Sequence, residues 1–407
     1  MAEMHLITAG FLPLLDSAVL VAAREKGFAA EEGIDLVLVR ETSWASIRDR
    51  IAVGHFEVAH MLAPMPIAAN LGLTPIRLEL IAPMALGLGG NAVSVSNALW
   101  AAMKEEGAGN AADAAAAGAA LKKVVEARRR AGAERLQLAV VHPHSGHNFE
   151  LRYWLAASGI DPEADLDIVV LPPPLMPDAV AAGRIDGFCV GEPWSSVAVA
   201  QGHAHIATAK AAIWRSSPEK VLGVRADWAA MHGELLLRLM RVLYRAAEWC
   251  GKAENRAELA EILAAERYLS QPAELLLRAL EGRLETGHGT QSFPDFFLPF
   301  DRAATFPWQS HALWFYSQMV RWGQVAHTAS SAERARDSFR PDLYCAALEP
   351  LKPPLPASGM KVEGELAAPT PVSTGRGELM LGPDGFFDRI PFDPAELDAY
   401  IATQTRA

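Results

Sequence analysis

The stretch Leu136–Ser158, LQLAVVHPHSGHNFELRYWLAAS, constrains the fold of this chain more than any other. Its first six residues form an apolar run with a β-branched end. Its last ten repeat apolar residues at helical spacing, at Phe149, Tyr153, Leu155 and Ala156. The polar loop between them runs from His142 to Asn148. That order predicts strand, loop and helix. The loop delivers Ser145, Gly146 and His147 to a helix N-terminus, where backbone N–H groups are unpaired and the dipole is positive. Such an end favours a small anion. The same residues also make an ordinary helix cap through Ser145 or Asn148.

The rest of the chain repeats this alternation. Residues 5–60 read as strand, helix, strand, helix, strand, which predicts a doubly wound α/β lobe. Asp16 or Ser17 can cap the first helix, and Ser43 to Ser46 opens the second. From Leu86 the chain leaves this lobe through Gly87, Gly89 and Gly90, glycines suited to a backbone crossing. Strands over 166–171 and 185–190 extend the second lobe, and Leu222-Gly223-Val224 returns to the first. The pattern is helical throughout from Leu235 to Leu284. An aromatic-rich region follows to Trp322, Lys352–Pro371 reads as a surface excursion, and Phe392–Ile401 as a last helix. The divisions expected are 1–86 for the first part of lobe I, 87–194 for lobe II, 195–350 for the return to lobe I with a helical C-terminal part, and 351–407 for a C-terminal extension.

Composition narrows the functional classes. The chain has 407 residues, a formal charge of −11 and 51% hydrophobic residues. An acidic balance argues against direct nucleic-acid binding, which needs a basic face. Arg128-Arg129-Arg130 fits the C-terminal end of an exposed helix. Cys189, Cys250 and Cys345 lie far apart, in no metal-ligand spacing, and fit a reducing compartment. The first five residues carry no basic or apolar leader pattern, and no run approaches the ~20 apolar residues of a membrane span. The expectation is a cytoplasmic protein with no membrane association. No metalloprotease helix, nucleophile elbow or phosphate loop is present in the sequence. His142, His144 and His147 alternate closely enough to consider a metal, but without supporting cysteine. The reading is therefore no enzyme, no cofactor and no metal. Two lobes with loops converging on a cleft describe a clamp that closes on a ligand.

Several segments, in order, resemble the nitrate-binding proteins: Glu41–Asp49 (ETSWASIRD), Ala59–Pro66 (AHMLAPMP), Asn91–Asn97 (NAVSVSN), Gly146-His147-Asn148 with Arg152–Leu155, Pro172-Pro173-Pro174, and Phe188–Trp194 (FCVGEPW). That family contains the NrtA and CmpA solute receptors of nitrate and bicarbonate transporters and the soluble NasS sensors. The resemblance spans about residues 5–330; the tail after Ser330 falls outside it. It implies an α/β, two-lobed, periplasmic-binding-protein-like C-clamp of class II, with extra C-terminal helices and an anion held between the lobes. By motif, Trp44 would face the anion, His147 would donate to it, Lys220 would neutralise it and Asn91 would offer an amide. Each has a plainer role open to it: core for Trp44, a cap for His147, a surface lysine for Lys220, a turn contact for Asn91. Glu192 reads as structural, ion-paired across the lobes.

Nitrate is planar, singly charged and a weak acceptor. A neutral donor set with one buried cation suits it better than clustered arginines. The resemblance, joined to the missing leader pattern, implies a cytoplasmic nitrate/nitrite sensor that controls release of a NasT-like ANTAR antiterminator. The alternative is the substrate-binding protein of an ABC-type nitrate or bicarbonate transporter.

Overall fold

The computed structural model describes residues 4–404; residues 1–3 and 405–407, which enter the first and last divisions above, lie outside it. The first lobe carries β1 (His5–Phe11), β2 (Ile34–Arg40), β3 (Val58–Leu62) and β4 (Leu80–Ile81). The chain then crosses through β5 (Leu88–Gly89) to the second lobe. There it forms β6 (Asn91–Ser96), β7 (Leu136–Val140), β8 (Leu166–Val170), β9 (Gly187–Gly191) and β10 (Ala204–Ala209). It returns as β11 (Lys220–Arg225).

Each lobe holds a five-stranded mixed sheet. The first has the order β2-β1-β3-β11-β4, parallel from β2 to β3 and antiparallel at β11. The second has the order β10-β6-β9-β7-β8, parallel from β9 to β8 and antiparallel at β6. The outward crossing is tight. Gly89 adopts φ 76° and a Cβ there would lie 2.2 Å from the Phe296 carbonyl oxygen, so only glycine fits.

Apolar faces explain the layers. The helices Ala18–Glu25 and Gly233–Gly251 pack together against the first sheet through Val19, Leu239 and Leu243, all fully buried. Each such side chain contributes about 1.5–3 kcal/mol. A second apolar cluster joins Trp44 and Ile47 of lobe I to Phe149, Trp154, Trp314 and Phe386.

Four expectations change. The second sheet runs to Ala209, past the boundary expected at 194, because β10 pairs antiparallel with β6. Its alanine-rich sequence, AHIATA, gives little strand signal. The stretch 235–284 is broken into helices Gly233–Gly251, Arg256–Ala264 and Ala273–Leu280, followed by a hairpin of Arg283–Glu285 with Thr290–Ser292. The segment Lys352–Pro371 is not simply a surface excursion: Glu363 is 1% exposed and pairs with Lys361. The last helix starts later, at Leu397, because Phe392 exchanges two backbone hydrogen bonds with Glu363, of 2.8 and 2.9 Å.

Candidate functional site

The two lobes meet edge to edge. The Leu15 N–H donates to the Glu192 carbonyl at 2.8 Å, and the Trp194 indole N–H donates to the Pro13 carbonyl at 3.1 Å. Polar side chains collect in the junction. Lobe I contributes Asp16 from the 3-10 turn Leu15–Ser17, Trp44 from the first turn of helix Trp44–Ala52, and His60 from β3. Lobe II contributes Asn91 from the start of β6, and His147 and Glu150 from the helix Gly146–Ala157. The returning segment brings Lys210, just past β10, and Glu219 with Lys220, where β11 begins. None of these residues is more than 3% exposed.

Local sequence sets these positions. Ser43 caps the helix of Trp44, its hydroxyl accepting from the Ser46 N–H at 3.1 Å. Ser145 caps the helix of His147, accepting from the Asn148 N–H at 3.0 Å. Gly146 lets that helix end press close: a Cβ there would lie 2.6 Å from Glu219 Oε2. On the first sheet, Lys220 pairs with Leu62 and Leu222 with His60, so Lys220 and His60 share one face two residues apart.

Glu219 is the hub. Its Oε1 lies 2.8 Å from Lys220 Nζ and 3.2 Å from His147 Nδ1. Its Oε2 accepts from Asn91 Nδ2 at 2.7 Å and from Lys210 Nζ. Lys220 also reaches Asp16 Oδ2 at 2.7 Å, and Asp16 Oδ1 lies 2.9 Å from His60 Nε2. The Lys220 ammonium sits over the Trp44 ring, 5.4 Å from its centroid, and the Trp44 and His60 rings lie 5.3 Å apart. Lys210 Nζ lies 2.9 Å from Glu150 Oε1 and donates to the Pro218 carbonyl at 2.7 Å.

Burial sorts the protonation states. It opposes the charge on Glu219, yet His147, Lys210 and Lys220 hold that carboxyl well below the usual range. Burial likewise opposes Asp16, and Lys220 and His60 prevail to hold it low. Desolvation drives His147 down to about 3, and lowers His60 despite the neighbouring Asp16, so both rings are neutral near pH 7. The same desolvation pushes Glu150 up to about 8, with Lys210 only partly offsetting it, and Glu192 up to about 7. Lys210 is raised, because Glu150 and Glu219 outweigh its burial.

The structure thus brings Trp44, Asn91, His147 and Lys220 into one cluster. It also corrects the expected chemistry. The junction is not a neutral donor set around one cation. It holds two lysines and three carboxyl groups, and Lys220 is already paired with Asp16 and Glu219. Glu192 makes no ion pair among the described residues; its side chain accepts from the Ser196 N–H at 3.2 Å and its backbone makes the contact across the lobes. His142 and His144, rings 5.6 Å apart, lie beside Arg48 in a small space of their own. Among the described residues no three His, Cys, Asp or Glu side chains are grouped to hold a metal ion.

Asp16, His60, Glu150, Lys210 and Glu219 were not predicted. Glu150 had a signal, since it stands three residues after His147 on the same helix face. His60 and Lys210 interrupt apolar runs, which is a weaker one.

Buried polar atoms in the junction that lack a hydrogen-bond partner among the described residues include Trp44 Nε1, His60 Nδ1, His147 Nε2 and Asn91 Oδ1. Buried polar groups are normally paired, so such a set points to a bound polar ligand or ordered water. An indole N–H, an imidazole and an aromatic face, next to internally compensated charge, can hold a small polar ion.

A family model described as NMT1-like matches residues 2–264. The chain is 32% identical over 411 residues to the nitrate/nitrite binding protein NrtA of Synechococcus elongatus, covering 98% of this chain and 86% of that protein. It is 35% identical over 344 residues to the nitrate import ATP-binding protein NrtC of Synechocystis, covering 82% of this chain; it spans only 48% of that longer protein. The crystal structure of the periplasmic nitrate-binding protein NrtA from Synechocystis superposes with a TM-score of 0.86 at 28% identity, covering 99% of both chains. The α/β, two-lobed arrangement of two mixed five-stranded sheets is the one expected from the sequence.

Proposed function

Because this chain belongs to the NMT1-like family of nitrate- and bicarbonate-binding proteins, with the periplasmic-binding-protein fold, we propose that it captures nitrate or nitrite between its lobes. It is a binding protein and not an enzyme, as its NrtA relatives are. Trp44, Asn91, His147 and Lys220 are the proposed ligand residues. The observation that carries this reading is the convergence of these four side chains, from both lobes, around buried polar atoms that lack partners.

Compensated charge suits such a ligand. Lys210 and Lys220 balance Asp16 and Glu219, while Glu150 stays largely protonated near neutral pH. A monovalent, weakly accepting anion then meets neutral donors, Trp44 Nε1 and the His147 ring in the tautomer that carries its proton on Nε2, without displacing an existing ion pair. A divalent or strongly basic anion would demand more positive charge than remains. Calorimetric titration of the purified chain with nitrate and with nitrite tests the proposal. Saturable one-to-one binding is expected, and heats no larger than buffer dilution for both anions would refute it.

The finer proposal concerns use of the captured anion. In the sensor reading, the protein works in the cytoplasm and restrains a NasT-like ANTAR antiterminator protein, and closure on the anion releases that partner. The thermodynamic demand is that nitrate prefer the lobe arrangement that binds the partner poorly. The sequence resemblance to NasS sensors motivates it. Co-purification with the antiterminator should be lost on adding nitrate; a complex indifferent to nitrate argues against it. The second reading, delivery of the anion to an ABC-type transporter, is favoured by its likeness to transport proteins such as NrtC. Stimulation of a reconstituted permease would decide for it.

A further inference from the structure

Two carboxyl groups share one buried ammonium in the interlobe junction. Lys210 Nζ touches both Glu150 and Glu219, and neither carboxyl is more than 2% exposed. Two carboxylates on one desolvated cation repel each other, so one of them keeps its proton. Their partners decide which. Glu219 is also held by Lys220, Asn91 and His147. Glu150 has Lys210 as its one cation among the described residues. The proton therefore resides on Glu150.

The surroundings of Glu150 offer no competing source of positive charge. Its own helix presents His147, which is neutral. The returning segment presents Lys210, Glu219 and the Ser217 hydroxyl. From β9 comes Cys189, whose thiol is pushed up by burial and by Glu150 itself, and so stays protonated. When Glu150 ionises, the junction gains a negative charge that nothing beside it cancels.

We propose that Glu150 is a positioning residue for the anion: its proton keeps Lys210 and Lys220 matched to Asp16 and Glu219 alone, so a negative ligand can enter, and loss of that proton weakens binding. The inference rests on the anion-capture reading above. Proton release near pH 8 agrees with the value to which burial raises this carboxyl.

Nitrate is the probe of choice, because it does not titrate between neutral and alkaline pH and any pH dependence must come from the protein. Calorimetry on the full chain is expected to show nitrate affinity falling roughly tenfold between about pH 7.5 and about pH 9, as one titrating group predicts. Glu150→Gln, neutral at every pH, should bind nitrate with a flat profile over that range. In wild type, titrations near pH 8 in two buffers of different ionisation enthalpy should reveal about half a proton taken up per nitrate bound. That measurement needs no variant, so misfolding of Glu150→Gln would not shield the proposal. Nitrate binding with a flat wild-type profile and no proton uptake overturns the role of Glu150 and leaves anion capture standing. Failure of nitrate to bind a folded wild-type chain at any pH overturns anion capture itself, and the Glu150 proposal with it.

Discussion

Two of the buried ionic clusters among the described residues are built to different rules. One anchors the C-terminal segment: Lys361 pairs with Glu363 and with Asp384 Oδ2 at 2.6 Å, and Glu363 Oε1 accepts the Ser310 hydroxyl at 2.6 Å with His311 Nε2 3.4 Å away. The other lies between the lobes around Glu219 and Lys220. In the tail cluster each carboxyl and the ammonium answer one another. Burial opposes the charge on Glu363, but Lys361 and His311 hold it at about 2. In the junction the ions are also matched, yet the indole, imidazole and amide atoms around them are left without partners. A cluster that satisfies itself is a staple. One that leaves oriented polar atoms over has contacts free for a polar guest or ordered water.

Substitutions should separate the two. The largest effect is expected at the tail. Glu363→Ala strips the buried Lys361 of a partner and should cost about 3–5 kcal/mol of stability, measured by chemical unfolding, while the folded fraction retains its affinity for nitrate. Lost nitrate affinity with unchanged stability would erase the distinction. Next come Lys220→Ala and His147→Ala. Each should weaken nitrate binding more than tenfold, since a charge-assisted or desolvated contact is worth roughly 1.5–3 kcal/mol. Wild-type affinity in both by calorimetry would remove the site assignment.

Acid makes a milder test of the same contrast. His142 and His147 are held down to about 3 and His144 to about 4, by burial first and nearby positive charge second in His142 and His144; His60 is lowered by burial. In the unfolded chain these imidazoles protonate near about 6.5. Between roughly pH 6.5 and pH 4.5 the unfolded state thus binds more protons at four imidazoles. Glu150 and Glu192 act with the opposite sign, because the folded state holds their protons, but they are only two. Stability should therefore fall as pH drops through that window. A melting temperature that rises steadily from about pH 6.5 to about pH 4.5 would contradict this balance.

Much of this architecture was legible in the chain. The run 136–158 forms its strand and helix where periodicity put them, over Leu136–Val140 and Gly146–Ala157. Ser43 and Ser145 cap the helices that present Trp44 and His147. What periodicity could not convey is which polar residue inside an apolar run turns toward another lobe. Asp16 precedes a helix and so reads as a cap, yet its carboxylate is taken by Lys220, 204 residues away in sequence. His60 lies in a fully buried strand, where a histidine passes for ordinary core. Lys210 follows a strand whose alanines hid it, so its pairing with Glu150 was out of reach. These contacts depend on how two sheets face each other, and local propensity does not encode that.

The return crossing from lobe II to lobe I contains Lys210 at one end and Glu219-Lys220 at the other. One covalent link between the halves thus supplies both lysines of the junction. A substitution at Lys210, Glu219 or Lys220 therefore alters a charged contact and a connecting segment at once. Much of the charge of the junction and the path back to the first lobe are written in the same eleven consecutive residues, 210–220.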